Sequence, residues 1–534
     1  MASPSYETWS KEDLIARLKL LDATLPTSRT HTHPKQLARK TKTAKTFDFA
    51  SQPRRKIALK FCYAGWEYNG LAFQKDKTPL PTVEGTLFKA LSACRLVDPE
   101  AGPEGCGWER CGRTDRGVSS AGQVVSLWVR SNQAQFLPEA ARPLADEARV
   151  DESPIDSITE AAEDSELPLF GLSDSDDALT PSPAAQFQNL DELPYVSMLN
   201  RVLPPTIRIY AWAPVSPTFS SRFACRNRHY KYIFTSDGLD ISKMRDAAER
   251  LLGENDFRNL CKLDASKQIV SFKRKILRAD ISPVSIFVKH KNNAEGSSTS
   301  SNQPPEGEIY VFDLIGTAFL YHQVRYIMAI LFLVGSGLEP PSAMTALLNA
   351  DPSNPLPPFR EGEEVPEVVE CKPEYQMADG LPLMLWNCAY NEEDVVWQTG
   401  GSSTSEEETT EDADASETMG EKNLYNQVHS IHSRSLIHAA LDAHFFHAVS
   451  TYHSPQTNPF PLAAPTNVRN LGNDLVLSIP VGGGCFRRWT SRTYVPLLQR
   501  KRLEPVEVVN ERWRQSKGLR RENRKANAED QADE

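Results

Sequence analysis

The sequence predicts an α+β fold built on a mainly antiparallel sheet. Stretches that alternate like strands, such as Lys56–Tyr63 and Arg228–Phe234, are spread along the chain. Stretches with helical spacing of apolar residues, such as Val83–Cys94 and Ala318–Gly335, lie between them. The two kinds do not follow a regular strand–helix–strand rhythm, which a parallel doubly wound sheet would need. Helices packed on an antiparallel sheet are therefore favoured.

Order is predicted to begin near Pro53, and each element has a recognisable pattern. Thr82 is the expected N-cap of the first helix, because its hydroxyl can accept from a first-turn N–H. Gly65 and Gly70 mark a turn after the first strand. The predicted strands cover residues 56–63, 124–127, 228–234, 308–314 and 381–386, and the predicted helices cover 83–94, 241–252 and 318–335.

The charge of the chain is unevenly distributed. The 534 residues carry a net charge of −10, with 40% hydrophobic and 24% charged residues. Residues 139–192 contain 15 acidic residues and two arginines, and residues 406–421 contain eight acidic residues and no basic one. These two segments together carry −21, so the remainder carries +11. A basic remainder is what a nucleic-acid-binding protein needs, although many other proteins are mildly basic.

The composition shifts predict the domain organisation. The basic arm from Arg29 to Lys45 is expected to contact RNA phosphates, to act as a nuclear signal, or to be a solvated linker. The predicted parts are an N-terminal helix with the basic arm, partly disordered (1–52), a first half (53–226) with an acidic disordered insertion (133–192), a second half (227–397) with a short disordered insertion (291–306), an acidic disordered linker (398–425), and a C-terminal extension with a basic tail (426–534).

Several classes of protein are disfavoured by the sequence. No run approaches the roughly 18 apolar residues of a membrane span. The nine cysteines form no Cys-x-x-Cys pair, so no zinc motif is predicted, and free thiols in a reducing compartment are expected.

The segment from Cys111 to Leu127 contains the strongest sign of chemistry. Asp115 lies between Arg113 and Arg116, and glycines at both ends allow a tight loop. The apolar run after the loop predicts a strand that anchors it. A carboxylate next to guanidinium groups suits a permanently ionised nucleophile, whereas an ordinary β-turn capped by the aspartate is the alternative on local composition.

Four segments, in order, resemble the motifs of the TruA family of tRNA pseudouridine synthases. They are Tyr63-x-Gly65-x-x-Tyr68-x-Gly70-x-x-x-Gln74 with Val83-Glu84; Gly112-Arg113-Thr114-Asp115-x-Gly117-Val118; Phe219-x-x-Arg222-Phe223 with Arg228-x-Tyr230-x-Tyr232; and Gly316-x-Ala318-Phe319-Leu320-x-His322-Gln323-Val324-Arg325, closed by Gly380-Leu381-x-Leu383. Phe47-Asp48-Phe49 and Gly65-Trp66-Glu67-Tyr68-Asn69-Gly70 are similar to the eukaryotic branch that modifies uridines 38 and 39. The resemblance implies the TruA-like fold: two α/β halves, a mixed, mainly antiparallel sheet, and a positively charged cleft between the halves.

The resemblance also assigns catalytic roles. Asp115 would be the catalytic carboxylate, either attacking the ribose or removing a ribose proton. Arg325 would be its ion-pair partner, which keeps the carboxylate ionised. Tyr230 would stack on the target base and move a proton, with simple core packing as the alternative.

Substrate contacts follow in the same way. Arg113 would fill the gap left by the flipped uridine or clamp a phosphate. Leu381 or Leu383 would form a wall of the pocket, and His322 would be structural or contact the RNA. Further candidates for phosphate contacts are Arg54, Arg55, Lys56, Arg487, Arg488, Arg500, Lys501 and Arg502.

The function implied is an isomerase that modifies the anticodon stem-loop of tRNA without a metal or other cofactor. The resemblance leads us to expect a homodimer. The apolar content predicts no membrane association, and the basic stretches 39–45 and 273–275 permit nuclear entry, so a location in nucleus and cytoplasm is expected. A catalytically inactive RNA-binding or tRNA-folding protein on the same scaffold is the main alternative, and a scaffolding protein built around the acidic segments is another.

Overall fold

The computed structural model describes residues 47–74, 76–133, 192–284, 309–399, 415–453, 460–462, 478–488 and 494–520. The N-terminal helix, the basic arm and most of the predicted insertions lie outside these residues. Residues 1–50 and residues 51–534 are two separate units, and the site described below belongs to the second.

The second unit is built on one large sheet with helices packed against it. Its strands are β1 (Arg54–Tyr63), β2 (Glu109–Arg110), β3 (Ser119–Arg130), β4 (Ile207–Pro214), β5 (Asn227–Thr235), β6 (Gly253–Asp256), β7 (Lys273–Pro283), β8 (Ile309–Gly316) and β9 (Leu383–Ala389), with a separate pair β10 (Ser478–Gly482) and β11 (Cys485–Arg488). Its helices are α1 (Val83–Ala93), α2 (Gly102–Gly105), α3 (Tyr195–Val202), α4 (Ile241–Glu249), α5 (Gln323–Gly335), α6 (Ser342–Leu348), α7 (Ala415–Ser450) and α8 (Val506–Trp513).

The large sheet joins a first group of strands (β4, β1, β3 and β2) to a second group (β9, β5, β8, β7 and β6). Its order is β4-β1-β3-β9-β5-β8-β7-β6, and β2 pairs with β3 as a side branch. Strands β3 and β9 run parallel, with Ser119 opposite Met384 and Ser120 opposite Leu385. The other pairings of described strands in this sheet are antiparallel. Because β3 and β9 run in the same direction, the loops that precede them meet at one end of the sheet.

The sequence patterns explain the main elements. The Thr82 hydroxyl accepts from the N–H of Gly85 at 3.1 Å, which confirms the predicted N-cap of α1. In β5 the predicted alternation is present, since Tyr232 and Phe234 are buried whereas Ile233 is exposed. Helix α5 is apolar on nearly all sides and is correspondingly buried along its length.

Each group of strands has its own apolar core. Helices α1 and α3 pack on β1, β3 and β4 around Leu59, Leu87 and Tyr195. Helices α4, α5 and α6 pack on the second group of strands around a core that includes Met244, Phe312 and Ile330. A smaller cluster where the groups meet contains Val124, Leu385 and three cysteines, so the junction is itself a packed interior.

Several elements differ from the sequence prediction, and α5 and β7 illustrate the reasons. Helix α5 begins at Gln323, five residues after the predicted start at Ala318. His322, in the left-handed region at φ +60°, cannot belong to the helix, and the Gln323 side chain accepts from the N–H of Leu320 at 2.7 Å. Strand β7 was not predicted, because its charged residues conceal the alternation; it pairs with β6 and β8 near the sheet edge.

Helix α7 begins at Ala415, within the range 398–425 that the sequence predicts as a linker. It spans 36 residues. Its Gln427 side chain accepts a hydrogen bond from Arg208 Nε of β4 at 3.1 Å, which connects the helix to the sheet. Polar residues interrupt its apolar ones throughout. Within the described ranges, no helix combines the length and the apolar content needed to cross a bilayer.

Candidate active site

The loop that carries Asp115 runs from β2 to β3 and is fixed at several points. The N–H of Val118 donates to the Asp115 carbonyl at 3.1 Å, which closes the turn. The Gln123 side chain donates to the Gly112 carbonyl at 2.9 Å, and the Tyr63 and Thr114 hydroxyls share a buried hydrogen bond of 2.6 Å. The loop therefore presents Asp115 from a rigid frame, as a preorganised catalytic group requires.

The glycines of the first motif let the backbone approach this loop. A Cβ at Gly65 would overlap the carbonyl of Val118, and the Gly65 N–H donates to Ser119 Oγ at 3.0 Å. Gly70, at φ +89°, lies against Thr114 and Asp115. The backbone at residues 63–70 thus packs closely against the aspartate loop and stabilises its conformation.

Glu84 fixes the strand that leads into the loop. Its buried carboxylate accepts from Arg110 at 2.5 and 3.0 Å, from the Trp108 indole at 2.9 Å and from the Phe73 N–H at 2.8 Å. Four donors satisfy the buried charge, so the motif residue Glu84 has a structural role.

Two basic side chains contact the Asp115 carboxylate. His322 Nε2 lies 3.1 Å and Arg325 Nη1 lies 3.6 Å from Asp115 Oδ2. Arg325 is also held by its Nε, which donates to the Ala378 carbonyl at 2.8 Å. The structure therefore brings together Asp115, Arg325 and His322, three of the residues singled out in the sequence.

His322 reaches Asp115 because its backbone is left-handed, an uncommon state for a residue with a side chain. Its ring packs against the Tyr321 ring, with centroids 3.8 Å apart. The buried Nδ1 has no hydrogen-bond partner among the described residues.

Arg228 joins three loops around the site. Its Nη2 donates to the carbonyls of Cys111 (3.1 Å) and Arg222 (3.0 Å), and its Nη1 donates to the Thr317 carbonyl at 3.0 Å. These carbonyls belong to the aspartate loop, the third motif and the fourth motif. The sequence showed Arg228 only as a motif position, because its acceptors are backbone atoms far apart in the chain.

Residues 247–391 match the family model described as tRNA pseudouridine synthase. A protein of Saccharomyces cerevisiae named tRNA pseudouridine(38/39) synthase is 35% identical over 526 residues, covering 96% of this chain and 92% of that protein. The chain belongs to the tRNA pseudouridine synthase family. Its mixed, mainly antiparallel sheet agrees with the TruA-like fold that the resemblance implied.

Other relatives match a shorter part. Human and mouse proteins with the same name are both 38% identical, over 357 and 356 residues, and the chain spans 59% of the length of each. A tRNA pseudouridine synthase A of Methanosarcina mazei is 26% identical over 296 residues. This more distant archaeal relative agrees with a TruA-type family.

Tyr230, the tyrosine for which the family resemblance implies base stacking, lies on the central strand β5. It is opposite Leu385 of β9, which is in turn opposite Ser120 of β3. Its ring meets that of Phe319 edge to face, with centroids 5.0 Å apart, and touches both the core of the second group and the junction cluster. Burial raises its pKa, so the phenol is protonated and can donate a hydrogen bond.

The two leucines proposed as a pocket wall have different surroundings. Leu381 is 46% exposed, and its backbone lies beside Gly117 of the aspartate loop. Leu383 is buried in the core of the second group. A Cβ at Gly380 would lie 3.6 Å from Arg325 Cζ, so this segment lies against the ion pair. Leu381 is thus the better placed of the two to touch a substrate.

Positive charge is concentrated beside the loop in this synthase. Desolvation of its guanidinium and the neighbouring charge of Arg110 lower the pKa of Arg113, and Arg222 adds to this effect. Arg113 is exposed. A phosphate that approached this group would relieve the repulsion among the guanidiniums.

The prediction of phosphate contacts is wrong for Arg55 and Lys56. Arg55 is buried and pairs with Glu192 at 3.0 Å, and Lys56 is buried with its Nζ donating to the Pro217 carbonyl at 3.1 Å. Consecutive residues of β1 point to opposite faces of the sheet, so the burial of both shows that the two faces are covered at this point. Arg54 and Lys501 are exposed, whereas Arg500 and Arg502 are partly buried; the side chains of Arg487 and Arg488 lie outside the description.

Proposed function

We propose that the protein isomerises uridine to pseudouridine at positions 38 and 39 of the tRNA anticodon arm, with Asp115 as the catalytic carboxylate. The observation that carries the assignment of Asp115 is its contact with both His322 and Arg325 on a loop braced by Tyr63 and Gly70. The positions come from the names of the relatives in yeast, mouse and human.

The reaction breaks the bond between ribose C1′ and uracil N1 and forms a bond between C1′ and C5. The proton on C5 is lost and N1 gains one, so no electrons enter or leave. One ionised carboxylate suffices, either as a nucleophile at C1′ or as the base that removes a ribose proton. The contacts of Arg325 and His322 with Asp115 hold the carboxylate in position for either role.

The other site residues have supporting roles in this proposal. Tyr230 stacks on the flipped uracil and donates from its protonated hydroxyl. Arg113 fills the vacated place in the stem or holds a phosphate, and Leu381 closes the pocket. The tRNA binds by shape and phosphates in a positively charged cleft between the two halves. We also propose a homodimer, and action in both nucleus and cytoplasm.

A test uses unmodified tRNA that carries tritium at uridine C5. Forming the carbon–carbon bond must release that tritium into water. We expect release by the full chain and a loss of about 10³-fold or more with Asp115→Asn, as for other essential catalytic groups. Substrates in which cytidine replaces uridine 38, uridine 39 or both would map the positions.

The matched control is Asp237→Asn, a change at an exposed aspartate outside the site. It should release tritium at the parent rate. Equal release by Asp115→Asn and the parent would contradict the catalytic assignment. No release by the parent, with tRNA binding retained, would favour the inactive RNA-binding or tRNA-folding protein.

A further inference from the structure

Three buried cysteines from distant parts of the chain meet behind the aspartate loop. The Sγ atoms of Cys111, Cys225 and Cys388 all lie within 4.8 Å of one another. Cys111 opens the aspartate loop, Cys225 lies between the two parts of the third motif, and Cys388 lies near the end of β9. Each is at most 8% exposed. All nine cysteines of the chain are free of disulfides, and these three are the described group whose ligand atoms come this close.

The surroundings hold a balancing positive charge. The guanidinium of Arg228 interacts electrostatically with all three cysteines and is anchored to the Cys111 carbonyl. Tyr390 is next to the cluster, and its hydroxyl donates to the Ser221 carbonyl at 2.6 Å. Apolar residues such as Phe219 and Leu385 enclose the group. Burying three thiolates without a counter-charge would carry a large desolvation cost. A bound metal cation together with the guanidinium of Arg228 would offset that cost.

We propose that Cys111, Cys225 and Cys388 bind a zinc ion that fixes the base of the aspartate loop. Thiolate sulfur is a preferred ligand of Zn²⁺, and structural zinc sites have four ligands, of which three or four are often cysteines. Three thiolates and Zn²⁺ carry a net charge of −1, which the guanidinium of Arg228 offsets. The Tyr390 hydroxyl is the neighbouring oxygen for a fourth position.

Binding exchanges protons for the metal. The three thiols lose their protons to solvent as Zn²⁺ enters, so the net reaction consumes one zinc ion and releases three protons. Without metal, Cys225 Sγ lies 3.3 Å from the Asn227 carbonyl and its S–H donates there. The metal would link the aspartate loop, the third motif and β9. This site goes beyond the proposed function and does not depend on it.

The test is the metal content and the cobalt spectrum of the untagged full chain purified with reductant. We expect one zinc per chain by elemental analysis. After exchange, cobalt should produce the sulfur-to-cobalt charge-transfer absorption of a thiolate site. Cys225→Ser should lose this absorption, whereas Cys261→Ser should keep it, because Cys261 is equally buried but lies in another cluster.

Parent protein that takes up no stoichiometric cobalt would overturn the proposal. So would bound cobalt without the thiolate absorption, since that result indicates imidazole ligands such as the histidines of α7. The parent spectrum decides the matter even if Cys225→Ser fails to fold. Asp115→Asn should keep the metal, which separates this site from catalysis.

Discussion

Single residues in the site show how a carboxylate is held for reaction. Asp115 is partly exposed, whereas its partners His322 and Arg325 are largely buried. The two partner side chains are thus enclosed, whereas the Asp115 side chain keeps 28% of its surface exposed. Arg325 Nη1 lies 3.6 Å from Asp115 while its Nε donates to the Ala378 carbonyl, so one rigid, planar guanidinium reaches both groups at a fixed separation.

We therefore predict that Arg325→Lys slows pseudouridine formation about 10- to 100-fold in single turnover. The lysine keeps the charge but cannot hold both Ala378 and Asp115. Binding of tRNA should change by less than about threefold, because the contact is internal. Rapid-quench tritium release and filter binding measure the two quantities. Arg278→Lys, at an exposed pair with Asp280, is the control and should behave as the parent.

Lys372 predicts a pH-dependent contribution to stability. It donates to the Cys261 carbonyl at 2.5 Å and lies over the Tyr326 ring. Burial lowers its pKa to about 7 from an ordinary value of 10.5. Below pH 7 the folded state carries the full cost of burying the charge. Between pH 7 and 10.5 the unfolded chain binds a proton that the folded chain does not, so stability rises with pH.

The expected slope is at most about 1.4 kcal/mol per pH unit for this one group. Lys372→Met removes the group and should remove this slope. Urea unfolding at several pH values between 6 and 10 gives the free energies of parent and variant. If the two free energies run parallel with pH, the lysine does not titrate in this window.

At the scale of elements, local patterns predicted well wherever neighbours in sequence decide the structure. The N-cap at Thr82 and the alternation in β5 are such cases. The predicted start of α5 is wrong because the apolar run continues upstream of Gln323, whereas the left-handed backbone of His322, which an apolar pattern does not encode, excludes that residue from the helix. Strand β7 was missed because strand pairing, not its own apolar pattern, defines it.

Glycine packing between the first motif and the aspartate loop leads to a prediction about stability. Gly65→Ala would overlap the Val118 carbonyl, so we expect a loss of about 2–4 kcal/mol in the free energy of unfolding. Gly112→Ala is the comparison, because its Cβ would meet only Arg228 Nε at 4.0 Å. It should change stability by less than about 1 kcal/mol. Equal effects in thermal or urea unfolding would contradict this account.

At the scale of the whole molecule, hydrogen bonds connect the two ends of the long acidic segment at the point where the chain leaves the sheet and returns to it. Glu192 accepts from Ser131 Oγ (2.5 Å), from the N–H groups of Asn132 and Leu193 (3.0 and 2.9 Å), and from Arg55 (3.0 Å). The end of β3 and the approach to α3 are therefore joined independently of residues 134–191.

We predict that replacing residues 135–190 with a short Gly-Ser linker preserves the fold. The shorter loop costs less closure entropy, so stability should be equal or up to about 2 kcal/mol higher. Tritium release should match the parent. Glu192→Gln is the contrasting change and should cost about 1–3 kcal/mol. A loss of tRNA binding on excision would show that the acidic segment belongs to the substrate interface.

The sequence predicts the reacting groups of the site better than the residues that hold them in place. Asp115, Arg325 and His322 were singled out from motifs, and the structure brings them together. The contacts of Arg228 and the meeting of the three cysteines depend on elements far apart in sequence. No local spacing encodes such contacts, so they needed the folded chain.

The position of Arg228 has an evolutionary consequence. One guanidinium holds backbone carbonyls of three motifs, so a change in any one motif alters the setting of the other two. Substitutions in these motifs should thus not be independent: their combined effects will depart from the sum of the single ones. A motif transplanted alone from a relative would then fail in this scaffold, whereas all three exchanged as a set would be accepted.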